Sequence, residues 1–182
     1  MTVLTNAPAL PLEDDRRAWV EGLYRQYSAQ VFRFMHYRLG AWEQAEDLTA
    51  LTFQRVIENA ERFNPAKGSE AVWLFTLARR VLIDHTRRQR PSVPLDGLEH
   101  LPGPSAGPEA RAEQSERLAA LGMALQKLKP RELAVVSLRY AGELKSAEIA
   151  KVLGLSEKNI EVILSRTRQK LRLMLEEDTH EK

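Results

Sequence analysis

One short stretch of this chain is rich in arginine, with five arginines at positions 79, 80, 87, 88 and 90. A guanidinium group donates hydrogen bonds in a planar fork that matches the oxygens of a phosphate. Because little acid stands nearby, these side chains favour the binding of a polyanion such as DNA. The stretch also ends a predicted helix, where the helix dipole favours cations, so a purely structural role stays open.

A second stretch, residues 146–171, predicts a short helix, a glycine turn and a longer helix. Ser146 and Ser156 each stand before one of these helices, where a serine hydroxyl can accept a hydrogen bond from a free backbone N–H. Gly154 suits the left-handed conformation that ends a helix. The expected inner face is apolar and consists of Ile149, Val152, Leu153, Leu155, Ile160, Ile163 and Leu164. The far end is basic, with Arg166, Arg168, Lys170 and Arg172. This pattern indicates a helix-turn-helix, whose second helix can enter a DNA major groove.

Residues suited to catalysis or metal binding are not arranged for either task. The chain has no cysteine, and its histidines, at 36, 85, 100 and 180, lack metal-ligand spacing. Glu46 and Asp47 are adjacent, so on a helix they point in different directions and make poor acid and base partners. No glycine-rich phosphate loop, nucleophile elbow or HExxH motif occurs. The sequence therefore indicates a protein that is not an enzyme and uses no metal ion or other cofactor.

The bulk composition is that of a globular protein. Of 182 residues, 43% are hydrophobic and 29% are charged, and the net charge of +2 is only a weak hint of an anionic partner. No apolar run approaches the roughly 20 residues that a membrane span needs. Residues 1–12 lack the pattern of a signal peptide. A cytoplasmic location without a membrane span is expected.

Breaker residues divide the chain into two helical blocks, residues 13–90 and 112–177, joined by a flexible proline- and glycine-rich linker at 91–111. Apolar spacings of three and four predict helices over about 13–39, 43–63 and 70–89. The second of these is expected to bury Ala45, Leu48, Phe53, Val56, Ile57 and Ala60. Two more helices should precede the helix-turn-helix, the later one opened by Pro130 and closed by Gly142. The expected fold is all-α, with two small helical domains.

Two features of the first block suggest contacts with unpaired bases. Aromatic side chains at 37, 42, 73 and 75 can stack on bases, although core packing is the simpler interpretation of Trp73. The polar loop at 64–69, beside the basic helix, is a candidate pocket for a flipped base. From the residues alone both interpretations stay open.

Taken together, these segments resemble the extracytoplasmic-function (ECF) sigma factors of the sigma-70 family. The run Ala-Glu-Asp-Leu-Thr at 45–49, continuing to Phe53, is similar to the region-two helix of that family. Residues 68–79 resemble its promoter-melting segment, and residues 83–88 resemble the strip that binds the minus-ten element. Residues 128–140 and the helix-turn-helix resemble the domain that reads the minus-thirty-five element. The resemblance covers about 20–90 and 112–175, in the family's order.

The resemblance implies a subunit that binds core RNA polymerase and directs promoter-specific transcription initiation. The polymerase-binding residues would be Glu46, Asp47, Thr49, Ala50 and Phe53. The minus-ten element would be bound by Asn64, Lys67, Ser69, Arg79, Arg80, His85, Arg87 and Arg88. The minus-thirty-five element would be bound by Ser156, Lys158, Asn159, Glu161, Arg166 and Arg168. The implied partners are bacterial core RNA polymerase, through its β′ clamp helices and β flap, promoter DNA, and an anti-sigma factor that wedges between the domains.

The chain departs from the family pattern at three places. Glu161 and Val162 stand where a cation and polar groups usually face DNA, Arg80 replaces a frequent asparagine, and Ala50-Leu51 replace a usual glutamine-glutamate pair. These departures leave room for a sigma-like interaction module that binds polymerase or an anti-sigma partner without productive promoter opening. A third interpretation is a conventional helix-turn-helix repressor or activator, which would need a dimer to match two half-sites.

Overall fold

The structure, a computed structural model, describes residues 13–88 and 108–180. Within these two ranges the chain forms α1 Glu13–Leu39, α2 Trp42–Asn59, α3 Glu70–Arg88, α4 Pro108–Gln126, α5 Pro130–Val136, α6 Ser146–Leu153 and α7 Glu157–His180. A 3-10 turn, Ala60–Arg62, follows α2, and a π-helical turn, Ser137–Ala141, follows α5. Neither described range contains a strand, so the all-α prediction is confirmed.

Most of the expected linker lies outside the described residues. Helix α4 already begins at Pro108, so residues 108–111 are helical where the sequence predicted linker. Among the helices described, none is long and apolar enough to cross a lipid bilayer.

Helix α1 is held by the apolar stripe that its sequence predicts. Leu23, Val31, Phe34 and Met35 are all buried and pack against α2 and α3. The helix ends at Gly40, which has a φ of 70° and donates its N–H to the carbonyl of His36 at 2.8 Å. A left-handed residue at this position favours glycine, as expected.

Helix α2 and the 3-10 turn after it bury the expected residues with one exception. Ala45, Leu48, Val56 and Ala60 are buried, but Ile57 is 64% exposed, so its assignment to the core was wrong. The reason is the helix phase: Val56 occupies the inward position, and the next residue is rotated by about 100° toward solvent.

The second block has a small core between α4, α5 and α7, against which Tyr37 of α1 also packs. Leu125, Leu128 and Val136 are buried there, with Leu121, Leu133 and Leu171 packed around them. Pro130 opens α5, as predicted. The Glu132 carboxylate accepts hydrogen bonds from the Lys129 N–H at 2.9 Å and from Lys170 Nζ at 3.0 Å, which ties the start of α5 to α7. The Lys129 backbone hydrogen bond is the main cause that lowers the pKa of Glu132.

The helix-turn-helix forms as predicted at its turn and differs at its entrance. Gly154 has a φ of 67°, and the Ser156 hydroxyl accepts a hydrogen bond from the Asn159 N–H at 3.3 Å. The expected capping role of Ser146 was wrong, because Ser146 is already the first residue of α6. Its place is taken by Glu148, whose carboxylate accepts from the Lys145 N–H at 3.0 Å.

The two blocks pack against each other. Helices α1 and α3 lie against the π-helical turn and α6, and one continuous buried cluster includes Leu74 and Phe75 from the first block with Leu138 and Ile149 from the second. Gly142 lies at this contact: a Cβ atom added there would stand 3.0 Å from the Phe75 ring and 2.8 Å from the Leu138 carbonyl oxygen. Its φ is −80°, so it is the contact, not the backbone angle, that calls for glycine.

We therefore expect Gly142→Ala to destabilise the protein by about 1–3 kcal/mol, the usual cost of overpacking. Gly22→Ala is the matched control, because a Cβ atom at this position within α1 meets nothing within 4 Å. That change should stabilise the protein by about 0.5–1 kcal/mol through helix propensity. Urea titration of both variants measures the free energy of unfolding, and equal effects at the two positions would contradict the close contact.

Candidate nucleic-acid and protein interfaces

A cluster of three aromatic rings supports the loop at 64–69. The Trp19 ring stacks on Phe63 with centroids 5.0 Å apart, and both rings contact Trp73 at 5.7 and 5.6 Å. Trp19 Nε1 also donates to Glu70 Oε1 at 2.5 Å. Since Phe63 and Glu70 flank the loop, both of its ends are fixed to α1.

Internal hydrogen bonds shape the loop itself. Asn64 Oδ1 accepts from the Ala66 N–H at 2.9 Å, and the Lys67 N–H donates to the Asn64 carbonyl at 3.0 Å. The Ser69 hydroxyl accepts from the Val72 N–H at 3.3 Å and so caps α3. Asn64, Lys67 and Ser69 are all exposed, so the structure brings these three candidate residues together on one short surface turn.

The C-terminal half of α3 carries an exposed basic strip, which we define as Arg80, Arg87 and Arg88. Arg80 and Arg87 are seven residues apart, about 10 Å along the helix axis. None of the three forms an ion pair with a carboxylate in the described part of the chain, although Asp84 lies exposed between them. The strip is therefore available to an external anion.

A further cation near this strip, Arg38, was missed at the sequence level. It lies in the last turn of α1, and burial, with Arg79 adding to it, lowers the pKa of its guanidinium to about 10. Both side chains are half-buried, and neither pairs with an acid among the described residues. No sequence signal could have found the pair, because α1 and α3 are brought together only by the fold.

The aromatic candidates for base stacking are mostly occupied by the protein itself. Phe75 is fully buried, with its ring edge against Phe34 at 5.7 Å, and Trp42 packs on Phe32 at 4.6 Å. Trp73 belongs to the three-ring cluster under the loop. His85 is half-buried, and its Nε2 atom has no hydrogen-bond partner within the described ranges.

The first turns of α7 present an exposed polar face. Lys158, Asn159 and Arg166 are exposed there together with Val162, which is 40% exposed. Ser156 is exposed just before them and caps the helix. Lys158 and Arg166 form no ion pair with any described residue. This face is the part of the helix-turn-helix that can meet a DNA groove.

Glu161 and Arg168 lie on a different edge of α7. The Glu161 carboxylate accepts a short hydrogen bond from the Ser146 hydroxyl and so joins α7 to the start of α6. Arg168 points its Nε toward the Leu164 carbonyl at 3.4 Å and lines an apolar groove between α4 and α7, next to Tyr37 and Leu121. The structure therefore does not bring these two residues together with Lys158 and Asn159.

The candidate polymerase-binding residues on α2 divide into exposed and buried members. Glu46, Asp47 and Ala50 are exposed. Thr49 donates its hydroxyl hydrogen to the Ala45 carbonyl at 2.6 Å, and Phe53 is only 6% exposed. Phe53 therefore acts in the core, where it supports the exposed surface from below.

Two exposed apolar residues join this surface. Ile57 is 64% exposed, two helical turns beyond Ala50, and Tyr24 is 54% exposed with its ring against Phe53 at 4.9 Å. Ala50 and Ile57 lie seven residues apart and so share one face of α2, which was a usable sequence signal for the exposure of Ile57. The position of Tyr24 on this surface depends instead on the packing of α1 on α2. An apolar centre beside carboxylates is a suitable protein-binding surface.

The residues that the structure describes contain no group of three or more His, Cys, Asp or Glu that could hold a metal ion. The candidate surfaces described above offer hydrogen bonds, charges and apolar contacts to a partner.

Two family models match this chain. The model described as Sigma-70 region 2 matches residues 23–92, and the model described as Sigma-70, region 4 matches residues 118–171. The two matches follow the order of the two helical blocks and leave the segment between them unmatched.

Curated relatives match across most of the chain. The ECF RNA polymerase sigma factor BldN of Streptomyces coelicolor is 34% identical over 158 residues, which are 86% of this chain and 60% of that protein. The chain therefore spans less than two-thirds of the length of BldN. The ECF RNA polymerase sigma factor SigL of Mycobacterium tuberculosis is 30% identical over 162 residues, which are 88% of this chain and 90% of that protein.

A solved structure shares the fold. The structure of CnrH in complex with the cytosolic domain of CnrY has a TM-score of 0.62 and 23% identity, and the match covers 93% of each chain.

The Glu161 contact leads to a prediction that separates packing from charge. Glu161→Ala should lower the free energy of unfolding by about 1 kcal/mol, because the Ser146 hydroxyl loses its acceptor. Glu161→Gln keeps an acceptor oxygen and should leave stability nearly unchanged. Urea titration measures the free energy of unfolding of both variants, and titration with a DNA duplex measures their affinity for DNA. Equal stabilities together with equally tighter DNA binding would mean that Glu161 acts only through its charge.

Proposed function

Because this chain belongs to the ECF RNA polymerase sigma factors of the sigma-70 family, we propose that it binds core RNA polymerase and directs it to specific promoters. In this proposal the first block, α1–α3, is the minus-ten and polymerase-binding region. The second block, α4–α7, is the region that reads the minus-thirty-five element. The domain limits are those expected from the sequence, with the second block extended to the start of α4.

The observation that carries the proposal is that exposed, unpaired cations are grouped on α3 and on α7. Some other exposed basic side chains are paired with acids, such as Arg17 with Glu21 and Arg172 with Glu176. The basic strip on α3 and the exposed face of α7 have no such partners within the described ranges. These two surfaces lie where the two regions of the family would meet DNA. Cations without internal partners supply affinity for phosphates.

For the minus-ten element, we propose that the basic strip, with Arg79 and Arg38 beside it, follows the phosphates of the non-template strand. The loop at 64–69 would hold a flipped base. Its internal hydrogen bonds favour this role, because a loop that is already ordered loses little conformational entropy on binding. Asn64 keeps its amide N–H groups for a base edge, since only its oxygen is used within the loop.

For the minus-thirty-five element, we propose that Lys158 and Asn159 contact base edges and that Arg166 contacts a phosphate. Val162 lies between them and suits a thymine methyl group. Glu161 and Arg168 take supporting roles in this proposal, because their contacts lie on another edge of α7. The unusual carboxylate at 161 then stabilises the helix-turn-helix instead of reading a base.

For polymerase, we propose that the surface of α2 binds the β′ clamp helices. Ile57 and Tyr24 would supply the apolar centre and Glu46 and Asp47 the charged rim, which is the usual composition of a protein interface. The second block would bind the β flap. An anti-sigma factor is the further partner that we propose; the distant fold relative CnrH was solved with a second protein, the cytosolic domain of CnrY. The protein would act in the cytoplasm with polymerase and have no catalytic activity of its own.

A transcription assay tests the proposal directly. The purified protein is mixed with bacterial core RNA polymerase and a genomic promoter library, and the transcripts are sequenced. We expect transcripts that start at a defined set of promoters. Stable polymerase binding without transcripts would favour an interaction module, and DNA binding as a dimer that ignores polymerase would favour a conventional regulator.

The basic strip gives a quantitative prediction. Arg87→Ala with Arg88→Ala should weaken promoter binding and reduce the slope of log K against log salt by roughly 1.4–1.8, because two phosphate contacts are lost. The control is Arg17→Ala with Arg25→Ala, which removes the same charge from two exposed α1 residues that contact Glu21. Binding to the promoter is measured over a salt series. An unchanged slope in the first variant would show that the basic strip does not contact DNA.

The α2 surface gives a second prediction. Ile57→Ser should weaken binding to core polymerase roughly tenfold, because an apolar residue at an interface centre contributes strongly to affinity. It should leave the free energy of unfolding nearly unchanged, since the side chain is exposed. Leu173→Ser is the control, as Leu173 is an exposed apolar residue on α7 with 52% exposure. Equal polymerase affinities for the two variants would argue against this surface.

A further inference from the structure

The contact between the two blocks has a polar rim made by two carboxylates of the second block. Glu143 Oε1 accepts a hydrogen bond from an Arg33 guanidinium N–H at 2.5 Å, and Oε2 accepts from Gln30 Nε2 at 2.9 Å. Glu148 Oε1 accepts from the Ser69 hydroxyl at 2.9 Å. Two acidic side chains of the second block thus accept hydrogen bonds from α1 and from the end of the 64–69 loop.

We propose that these contacts form an autoinhibitory latch: in the free protein, Glu143 and Glu148 hold the two blocks closed and occupy donors of the first block. The consequence for transcription rests on the proposed function, because Ser69 belongs to the loop assigned to the minus-ten element. The closed arrangement itself does not depend on that assignment.

The backbone at Glu143 supports a role for this residue in the closed arrangement. Glu143 has a φ of 58°. Among the described residues, it is the one non-glycine residue whose φ lies in the left-handed region. This conformation is unfavourable for a residue with a Cβ atom and persists where surrounding contacts compensate for it. Here the carboxylate gains two charge-assisted hydrogen bonds from α1. A glycine would suit the backbone better but would lose both of them.

The centre of the contact is apolar and closely packed. Phe75 of α3 is fully buried and faces Gly142, one residue before Glu143. Tyr27 of α1 lies beside the same surface: burial is the main cause that raises the pKa of its hydroxyl, with the carboxylates of Glu70 and Glu148 adding to it. The latch therefore consists of an apolar centre with a polar rim, in which two carboxylates accept hydrogen bonds from the first block.

The rim is open to solvent, so it should respond to salt. The side chains of Arg33 and Glu143 are 34% and 56% exposed. Exposed pairs of this kind are screened by ions and contribute modestly. The latch should therefore be strong enough to favour the closed state and weak enough for polymerase or DNA phosphates to open it. Phosphates compete directly, because they are ligands for the same guanidinium and hydroxyl groups.

The absence of cysteine from the chain makes a distance measurement straightforward. Cysteines introduced by Glu58→Cys on α2 and Gln169→Cys on α7, both at exposed positions, can carry spin labels. Pulsed electron resonance on the full chain at low ionic strength should give one narrow distance distribution. The distribution should broaden at high ionic strength. A broad distribution at low ionic strength would overturn the closed state.

Variants of Glu143 then test the latch. Glu143→Ala keeps the Cβ atom, and with it the backbone strain, but removes the carboxylate. We therefore expect an unchanged circular dichroism spectrum and a closed-to-open ratio that falls roughly fivefold. Glu143→Arg combined with Arg33→Glu should restore the narrow distribution. Glu21→Ala, which removes an exposed carboxylate elsewhere on α1, should have no effect. An unchanged distribution in Glu143→Ala, or no restoration by the exchanged pair, would overturn the latch.

Binding to a non-specific DNA duplex gives the second readout. Glu143→Ala should bind more tightly than Glu21→Ala, although both variants lose one negative charge. Equal affinities would mean that the closed state does not compete with DNA, which would overturn the autoinhibition. A failure of the proposed function would look different: the distances would respond as expected, while the transcription assay with core polymerase would give no defined starts.

Discussion

The packing of helix α3 is the constraint on which the rest of the structure depends. One side of this helix is buried against α1 and α2 through Leu74, Ala78 and Leu82, and Phe75 is buried against the second block. A third side of the helix is exposed and carries Arg80, Arg87 and Arg88. Because two sides of α3 pack against other helices and the third carries the basic strip, few of its positions are unconstrained. This explains why the sequence of α3 consists mainly of apolar and basic residues. The position of α3 also fixes the loop before it, since Ser69 caps the helix.

The local arrangement of charges is more informative about this protein than its net charge. A net charge of +2 says little about a nucleic-acid partner. Across the described residues, some exposed cations, such as Arg17 and Arg172, contact a carboxylate one helical turn away, and such pairs partly cancel each other's field. Cations without such partners include one group at the end of α3 and another at the start of α7, while others, such as Arg62 and Lys151, lie elsewhere on the described surface. Which cations are paired depends on the three-dimensional structure and cannot be read from composition.

Local rules were enough to predict much of the fold. The apolar periodicity of α1, the left-handed glycine at 154 and the cap at Ser156 follow from helix periodicity and from end effects within a few residues, and all are present. The errors had two origins. Ile57 is apolar but faces outward, as the phase of α2 requires when Val56 points inward, so this error could have been avoided from the sequence. Ser146 precedes an apolar run like a cap, but its hydroxyl donates to Glu161 on another helix, which is a tertiary contact. The proximity of Arg38 to Arg79 and the contact between the blocks involve residues far apart in sequence, for which a single sequence carries no signal.

The continuous buried cluster that runs through both blocks also affects how the free protein unfolds. Each block alone has about the size at which a domain is only marginally stable. When their cores merge through Phe75, Leu138 and Ile149, disrupting either block exposes apolar surface of the other. Melting of the closed protein should then be a single cooperative transition, with calorimetric and van't Hoff enthalpies in agreement. Once the blocks separate, each would lose that mutual support and melt independently, so the unliganded protein is thermally most robust in the arrangement that we propose to be inactive.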